Sequence, residues 1–204
     1  MIVIIDYGLG NVLAFENVYR RLNIPVKVAK TADNLTDATR LILPGVGSFD
    51  HAMQQLDKSG MRHTLEQLVL QQGVPILGIC VGMQMLANSS DEGKLPGLGW
   101  IDGIVRKFDV ATLPHGTHLP HMGWNDVKPL DNNRLFKDLE KDARFYFLHS
   151  YYFECHQPSD NLAVSDYGGE FGCAVNHKNV YGVQFHPEKS HHFGSQLLKN
   201  FEEL

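Results

Sequence analysis

The feature that most restricts the fold of this chain is the turn Gly78-Ile79-Cys80-Val81-Gly82. The apolar run Pro75-Ile76-Leu77 before it predicts a strand buried on both faces, and a helical pattern follows at once. Strand, sharp turn and helix together form a nucleophile elbow, here with cysteine in the position of serine. The flanking glycines remove side chains that would collide in a strained turn, and the helix N-terminus favours a thiolate. The pattern predicts a reactive Cys80; the alternative is a buried structural cysteine between two packing glycines.

Short β-branched runs alternate with helical spacing through the first half of the chain, which indicates βαβ units. Strands are predicted at residues 2–6, 26–29, 40–43 and 74–79, and helices at residues 11–22, 49–56 and 61–71. From about Trp100 strands follow one another, at residues 101–108, 124–127, 144–148, 162–165, 172–176 and 180–184, before a last helix at 192–204. We therefore predict one α/β domain over residues 1–204. Its central sheet is expected to be mixed, mostly parallel and flavodoxin-like, flanked by helices and extended by the late strands.

Composition argues against several classes of protein. The net charge is −5 and the lysines and arginines are scattered, so we expect no nucleic-acid binding. No apolar run approaches the roughly 18 residues that a membrane span needs, and the apolar N-terminus is too short for a signal peptide. Three cysteines cannot form a complete set of disulfides. We therefore expect a reducing, cytoplasmic location and no contact with a membrane.

The second chemical signal is His186-Pro187-Glu188, which follows a predicted strand. A thiolate nucleophile needs a base, and the base needs a group that orients it. Residues two apart in extended chain project to the same side, and Pro187 disfavours helix at His186. Glu188 could then hold the His186 ring in one tautomer, as the acid of a catalytic triad does. The alternative is a surface turn with an unrelated His and Glu.

The third signal is Pro44-Gly45-Val46-Gly47, directly after the predicted strand at residues 40–43. Attack on an amide creates an oxyanion, which needs preorganised backbone N–H donors. A glycine-rich loop can turn its peptide groups toward that position. Taken alone, the segment is better interpreted as an ordinary strand–helix turn.

These three motifs occur in the order and spacing of class I (triad) glutamine amidotransferases, which the chain resembles from its first strand to its last helix. More narrowly, it resembles the glutaminase subunits of imidazole glycerol phosphate synthases. That likeness rests on the opening Asp6-Tyr7-Gly8-Leu9-Gly10-Asn11, on Leu119-Pro120-His121-Met122-Gly123-Trp124-Asn125 and on Tyr146-Phe147-Leu148-His149-Ser150-Tyr151. The Met-Gly-Trp-Asn stretch is the discriminating part, because other amidotransferases of the class are not expected to carry it.

The resemblance implies a role for each matching residue. Cys80 would attack the glutamine carboxamide, with His186 as base and then proton donor, and Glu188 as the group that orients His186. The oxyanion hole would use backbone N–H groups of Val46, Val81 and Gly47. The bound glutamine would be held by Gln84, Gly45, His149, Ser150 and Tyr151. The resemblance implies no cofactor and no metal.

The resemblance also implies a partner, a (β/α)8-barrel cyclase subunit that receives the ammonia and forms imidazole glycerol phosphate and AICAR in histidine biosynthesis. The surface facing this cyclase would consist of Gly8, Leu9, Gly10, Asn11, His121, Met122, Gly123, Trp124 and Asn125. Met122 and Trp124 are our candidates for an ammonia gate, although a lone Trp between strands is more often a core residue. We expect feeble glutaminase activity from the isolated chain, with oxyanion donors that are not yet competent.

Other signals carry less weight. Gly8-Leu9-Gly10-Asn11-Val12-Leu13 begins like a dinucleotide fingerprint, but the required third glycine is absent. The spacing of His115, His118 and His121 invites a metal hypothesis, yet no Cys or carboxylate stands beside them at ligand spacing. Two further cysteines lack elbow context, and we interpret them as structural; they are Cys155 and Cys173.

Three other functions remain open on the sequence. One is a paralogous amidotransferase that supplies ammonia for sugar amidination in surface-polysaccharide synthesis, which the stretch Glu188-Lys189-Ser190-His191-His192-Phe193-Gly194 resembles. Another is a free-standing cysteine peptidase or thiol hydrolase, which would work without a partner. The last is a binding module that has lost catalysis, which the intact Cys80, His186 and Glu188 argue against.

Overall fold

The computed structural model describes residues 1–111, 113, 117–130 and 133–204, and its centre is an eight-stranded mixed sheet. The strands are β1 (Ile2–Ile5), β2 (Val26–Ala29), β3 (Arg40–Gly45), β4 (Ile76–Cys80), β5 (Ser89–Ser90), β6 (Gly103–Lys107), β7 (His121–Asp126), β8 (Lys128–Pro129), β9 (Arg144–His149), β10 (Tyr151–Cys155), β11 (Asn161–Asp166), β12 (Glu170–His177) and β13 (Val180–Val183). The helices are α1 (Val12–Arg21), α2 (Phe49–Lys58), α3 (Arg62–Glu66, continued by a π-helical turn at Gln67–Gln71), α4 (Val81–Gln84) and α5 (His191–Glu202). Short 3₁₀ turns connect several of them, including Pro187–Lys189.

The main sheet has the order β2-β1-β3-β4-β13-β12-β11-β8. The first five strands in this order run parallel, and the last three join antiparallel. The parallel part is the doubly wound 2-1-3-4-5 order of flavodoxin-like folds, in which ligands bind at the carboxyl ends of the strands. The predicted α/β class with a mixed, mostly parallel, flavodoxin-like sheet is confirmed.

The prediction that all the late strands extend the main sheet is wrong. β6 pairs with β5 and β10 in a separate three-stranded sheet, and β7 pairs with β9 in a two-stranded ribbon. The physical difference lies in burial: every residue of β1 and β4 is buried, whereas β7 alternates with a solvated face. Strands with one solvated face do not need cover on both sides. Three short or unrecognised strands, β5, β8 and β10, were also absent from the sequence prediction.

One apolar core joins elements from β1 to α5. The central strands contribute consecutive aliphatic residues, and the periodic apolar faces of the helices cover them. α1 packs against α5 and against the 3₁₀ turn at Pro187–Lys189, so the C-terminal helix holds the segment after β13 in position. Within the described ranges, no helix is long and apolar enough to cross a bilayer.

Leu197 on α5 provides a test of this packing, because its side chain is fully buried. Leu197→Ala is expected to lower the free energy of unfolding by about 2–5 kcal/mol through lost burial and a residual cavity. The matched control on the same helix is Lys199→Ala, whose half-exposed side chain makes only a surface ion pair and should change stability by less than about 0.5 kcal/mol. Denaturant unfolding measures both. Equal effects from the two variants would show that α5 does not cover the core.

Candidate active site

Cys80 ends β4 in a left-handed backbone conformation, with φ of 55° and ψ of −113°. Such angles are strained for a residue with a side chain and are typical of functional turns. The turn closes because its glycines lack Cβ atoms. A Cβ on Gly82 would collide with the carbonyl oxygen of Leu43, and one on Gly78 would lie 2.6 Å from the carbonyl oxygen of Gly82. The elbow expected from the sequence is therefore present.

The helix after the elbow is short: α4 is one turn, Val81–Gln84. After it the bonds change to the i→i−3 type, with Leu86 N–H donating to Met83 O at 3.0 Å and Ala87 N–H to Gln84 O at 3.1 Å. A one-turn helix has a small dipole. The positive charge beside the sulfur must therefore come mainly from elsewhere.

The end of β3 lies directly against the elbow. Gly45 pairs with Cys80 in the β3–β4 register, and a Cβ on Gly45 would lie 2.7 Å from the carbonyl carbon of Val81. Val46 follows and is exposed, and Gly47 has a φ of +85°. The structure thus brings the Pro44–Gly47 loop beside the nucleophile, where an oxyanion would form. The donor roles of Val46, Gly47 and Val81 stay predictions.

His186 and Glu188 come together at Cys80. The Nδ1 atom of His186 lies 2.9 Å from Oε1 of Glu188, and both side chains are almost completely buried. Burial works against a charged ring, but hydrogen bonds with Cys80 and Glu188, and the negative charges of both, raise the pKa of His186 to about 10. His186 is therefore the source of positive charge next to the sulfur. This is the geometry that a nucleophile, a base and an orienting acid would need, and the triad roles of the three groups stay predictions.

Strand β9 fixes the position of His186. The N–H of His186 donates to Tyr146 O at 2.8 Å, and the two residues form an isolated antiparallel bridge. Ser190 Oγ donates to the carbonyl of His186 at 2.6 Å and accepts from the N–H of Tyr146 at 3.0 Å. The base is thus held by the backbone of a second strand, and a fully buried Ser190 locks the turn after it.

A glutamine pair adjoins the sulfur. Gln84 Nε2 donates to Gln184 Oε1 at 3.0 Å and to Tyr151 O at 3.3 Å. Gln184 Nε2 in turn donates to Cys80 Sγ at 3.7 Å, and Cys80 Sγ lies 3.8 Å from Leu148 O. Sequence reasoning missed Gln184, although it stands two residues before His186. Its position directly after β13 and before His-Pro-Glu is the signal that could have found it.

The remaining predicted substrate residues lie at the β9–β10 junction. Ser150 accepts a hydrogen bond from Phe108 N–H through its carbonyl, and Tyr151 begins β10. Both ring nitrogens of His149 are engaged within the protein, with His121 and with Tyr151 O. Any contribution of His149 to substrate binding is therefore through the position of its neighbours.

Tyr7 is a second residue near the site that sequence reasoning did not single out. Its hydroxyl donates to Pro44 O at 2.7 Å and to Met85 Sδ at 3.5 Å. Burial, and then the negative charge of Cys80, raise the pKa of Tyr7. This buried phenol connects the segment between β1 and α1 to the loop at Pro44, and it stays neutral.

The predicted partner surface comprises the loop Gly8, Leu9, Gly10 and Asn11 and the strand residues His121, Met122, Gly123, Trp124 and Asn125. The loop reaches the site, since a Cβ on Gly10 would lie 2.5 Å from Pro44 Cβ. Met122 is 62% exposed and Trp124 is 41% exposed, so Trp124 is not a core residue. Trp124 stacks on His191, with centroids 5.3 Å apart and planes 8° apart. His121 is buried, which removes its ring from the exposed surface.

The other cysteines and histidines have no place in this site. Burial raises the pKa of Cys155 to about 12, with a further contribution from Asp160, and burial also raises that of Cys173. Their thiols are therefore inert. Among the histidines considered for a metal, the His121 ring is used by His149, and the His118 carbonyl accepts from Tyr167 Oη at 2.7 Å. His115 lies outside the described residues.

Comparison with known proteins gives a consistent result. The family model "Glutamine amidotransferase class-I" matches residues 3–203. The chain is 66% identical to the imidazole glycerol phosphate synthase subunit HisH of Bdellovibrio bacteriovorus and 52% identical to that of Leptospira interrogans, over 204 residues and the full length of both proteins in each case. A solved structure of a glutamine amidotransferase superposes with a TM-score of 0.76 at 19% identity, covering 98% of this chain and 97% of the other. At that identity the structural match supports the fold alone.

Glu188→Gln is expected to lower the pKa of His186, because it removes the negative charge 2.9 Å from Nδ1 and keeps the side-chain size. His186 titrates above its unfolded value of about 6.5, so the stabilisation by its charged form is complete below that pH and is lost as pH rises toward about 10. Glu188→Gln should therefore lose less stability than the unchanged chain between about pH 7 and 10. NMR titration of His186 and unfolding at each pH measure both effects. The exposed Glu140→Gln is the control, and an unshifted His186 in Glu188→Gln would contradict the pairing.

Proposed function

Since the chain belongs to the class-I glutamine amidotransferases, and within them to the HisH subunits of imidazole glycerol phosphate synthase, we propose how its residues carry out that activity. The chain is a glutaminase subunit of histidine biosynthesis that hydrolyses glutamine to glutamate and ammonia. We take residues 1–204 as one glutamine amidotransferase domain. The observation that carries the assignment of roles is the buried Cys80–His186–Glu188 cluster on a strained elbow.

In the first step Cys80 Sγ attacks the carboxamide carbon of glutamine. The protonated His186 gives its proton to the amide nitrogen, and the C–N bond breaks. Ammonia is released, and the glutamyl group remains bound to Cys80 as a thioester. The raised pKa of His186 supports this order, because the ring already carries the proton that the leaving group needs. In the second step neutral His186 takes a proton from water, which attacks the thioester and releases glutamate. Glu188 orients His186 in both steps.

Both steps pass through an oxyanion, which needs donors already aimed at it. The backbone N–H groups of Val81, Val46 and Gly47 are our candidates, because the end of β3 contacts the elbow. The substrate segment is assigned to Gly45, Gln84 and the β9–β10 junction at His149, Ser150 and Tyr151. The contact of Gln84 with Tyr151 O supports one continuous binding surface.

A HisH relative is a subunit of a synthase, so this chain works with a partner subunit. We propose that the partner is a (β/α)8-barrel cyclase in a heterodimer, reached through the loop Gly8–Asn11 and strand β7. Exposed Met122 and Trp124 support this surface, because large apolar side chains in contact with water on one strand are typical of interaction sites. Three free cysteines support a reducing, cytoplasmic setting.

Cys80→Ala is expected to reduce glutamate release from glutamine by about three or more orders of magnitude, because the proposed thioester forms on Cys80 Sγ. Enzymatic glutamate detection measures it, with the cyclase and its nucleotide ligand present. Cys155→Ala is the matched control and should keep full activity, since Cys155 ends β10 and burial raises the pKa of its thiol to about 12. Persistent activity of Cys80→Ala would overturn the assignment.

The same assay distinguishes the proposed function from its alternatives. Strong stimulation of the isolated chain by the cyclase and its nucleotide supports the histidine-pathway partnership. Activity that ignores the cyclase would leave the cysteine chemistry intact and favour the sugar-amidination paralogue. Vigorous hydrolysis of peptides or esters by the chain alone would instead favour a free-standing hydrolase.

Met122→Glu is expected to weaken binding to the cyclase by about tenfold or more, because it replaces an exposed apolar side chain of the proposed interface with a charge. Titration calorimetry with the purified cyclase measures the dissociation constant. Leu70→Glu is the matched control, since Leu70 is 57% exposed on the π-helical turn at Gln67–Gln71, away from β7. Equal loss from both variants would remove β7 from the interface.

A further inference from the structure

Two buried histidines, His121 on β7 and His149 on β9, are joined by a hydrogen bond that the triad does not use. Nδ1 of His121 lies 2.9 Å from Nε2 of His149, and both side chains are almost completely buried. His121 is stacked between Phe147, at 4.6 Å, and Tyr167, at 4.0 Å, and Phe108 and Phe171 flank His149. Burial of polar groups is costly unless their hydrogen bonds are made, so the two buried imidazole rings must find hydrogen-bond partners within the protein.

The hydrogen bonds determine which nitrogen of each ring carries the proton. His149 Nδ1 lies 2.8 Å from Tyr151 O, and a carbonyl can only accept, so Nδ1 carries the hydrogen; in a neutral ring Nε2 is then an acceptor. His121 must then donate to that Nε2 from its own Nδ1. Its remaining Nε2 accepts from Asn125 Nδ2 at 3.2 Å. Each neutral ring thus accepts on one side and donates on the other.

The chain of hydrogen bonds continues to the nucleophile. Tyr151 O, which accepts from His149, also accepts from Gln84 Nε2 at 3.3 Å. Gln84 bonds Gln184, and Gln184 reaches Cys80 Sγ. At the other end, Asn125 Nδ2 also donates to Asp166 O at 2.7 Å, beside the exposed residues of β7. A single polar network therefore connects the outer strand to the sulfur.

The surroundings keep both rings neutral. Burial lowers the pKa of His121 to about 4. Burial also lowers the pKa of His149 to about 3, although the hydrogen bond to Tyr151 O acts to raise it; the charges of His121 and His186 lower it further. The titratable groups that face the pair are His186 toward His149 and the stacked Tyr167 toward His121. Because His186 holds the positive charge of the site, a second charged imidazole beside it is disfavoured.

We propose that His121 and His149 are positioning residues, both neutral with the proton on Nδ1, whose directed hydrogen bonds hold the Tyr151 carbonyl and Gln84 in the geometry that receives glutamine. The substrate part of this inference rests on the proposed function. The tautomer part does not, since it concerns the folded chain alone. The pair acts through Tyr151 and Gln84 and does not itself touch the reacting atoms.

The direct test is long-range proton–nitrogen NMR of the full-length chain with ¹⁵N-labelled histidines, between about pH 6 and 8. Two rings should carry hydrogen on Nδ1 and show no titration, and His121→Asn should remove one set of signals. A hydrogen on Nε2 of either ring, or titration of either ring in this range, would overturn the inference. No glutamine is involved, so this result is independent of the proposed catalytic function.

The kinetic test compares His121→Leu with His121→Asn in the complex with the cyclase and its nucleotide. Leu leaves Nε2 of His149 without a donor, and KM for glutamine should rise about tenfold while kcat changes less than about threefold. Asn places an amide donor near the position of Nδ1, and KM should return toward that of the unchanged enzyme. Equal KM values for the two variants, or a loss confined to kcat, would contradict a positioning role.

Discussion

The active site depends on direct contact between main chains where β3, β4 and α4 meet. Gly45, Gly78 and Gly82 have no Cβ, and at each of them an added Cβ would overlap backbone atoms of the neighbouring segment. This contact permits the left-handed conformation of Cys80 and brings the loop after β3 beside the sulfur. The strain of one residue is thus maintained by the packing of a parallel sheet.

Much of this arrangement could be predicted from the sequence because its signals are local. The Gly-x-Cys-x-Gly turn requires glycines at fixed offsets from Cys80, and the His186 and Glu188 side chains project together because they are two residues apart in extended chain. The alternation of apolar runs with helical spacing similarly indicated the parallel part of the sheet. Each of these patterns is determined by residues within a few positions of one another.

The parts that escaped prediction depend on distant residues. The segment after α4 is held by a loop that returns at residues 98–101, whose N–H groups donate to the carbonyls of Met85 and Leu86. The ribbon of β7 and β9 is separate from the main sheet, and one face of β7 meets solvent. Which sheet these strands join depends on distant parts of the chain and not on their own residues alone. Gln184 lies by Cys80, 104 positions earlier in the chain, so no short motif links the two residues. Pairing across such separations is a property of the completed fold.

The edges of the main sheet also affect how the molecule associates with others. β8, at one edge, has only two residues, Lys128 and Pro129, and β2, at the other, follows Pro25 and contains Lys27. Proline cannot donate to another strand, and an edge lysine brings its charge against an incoming chain. Both borders therefore resist strand addition and the aggregation that follows from it. The main sheet consequently does not offer its edge backbone to unspecific partners.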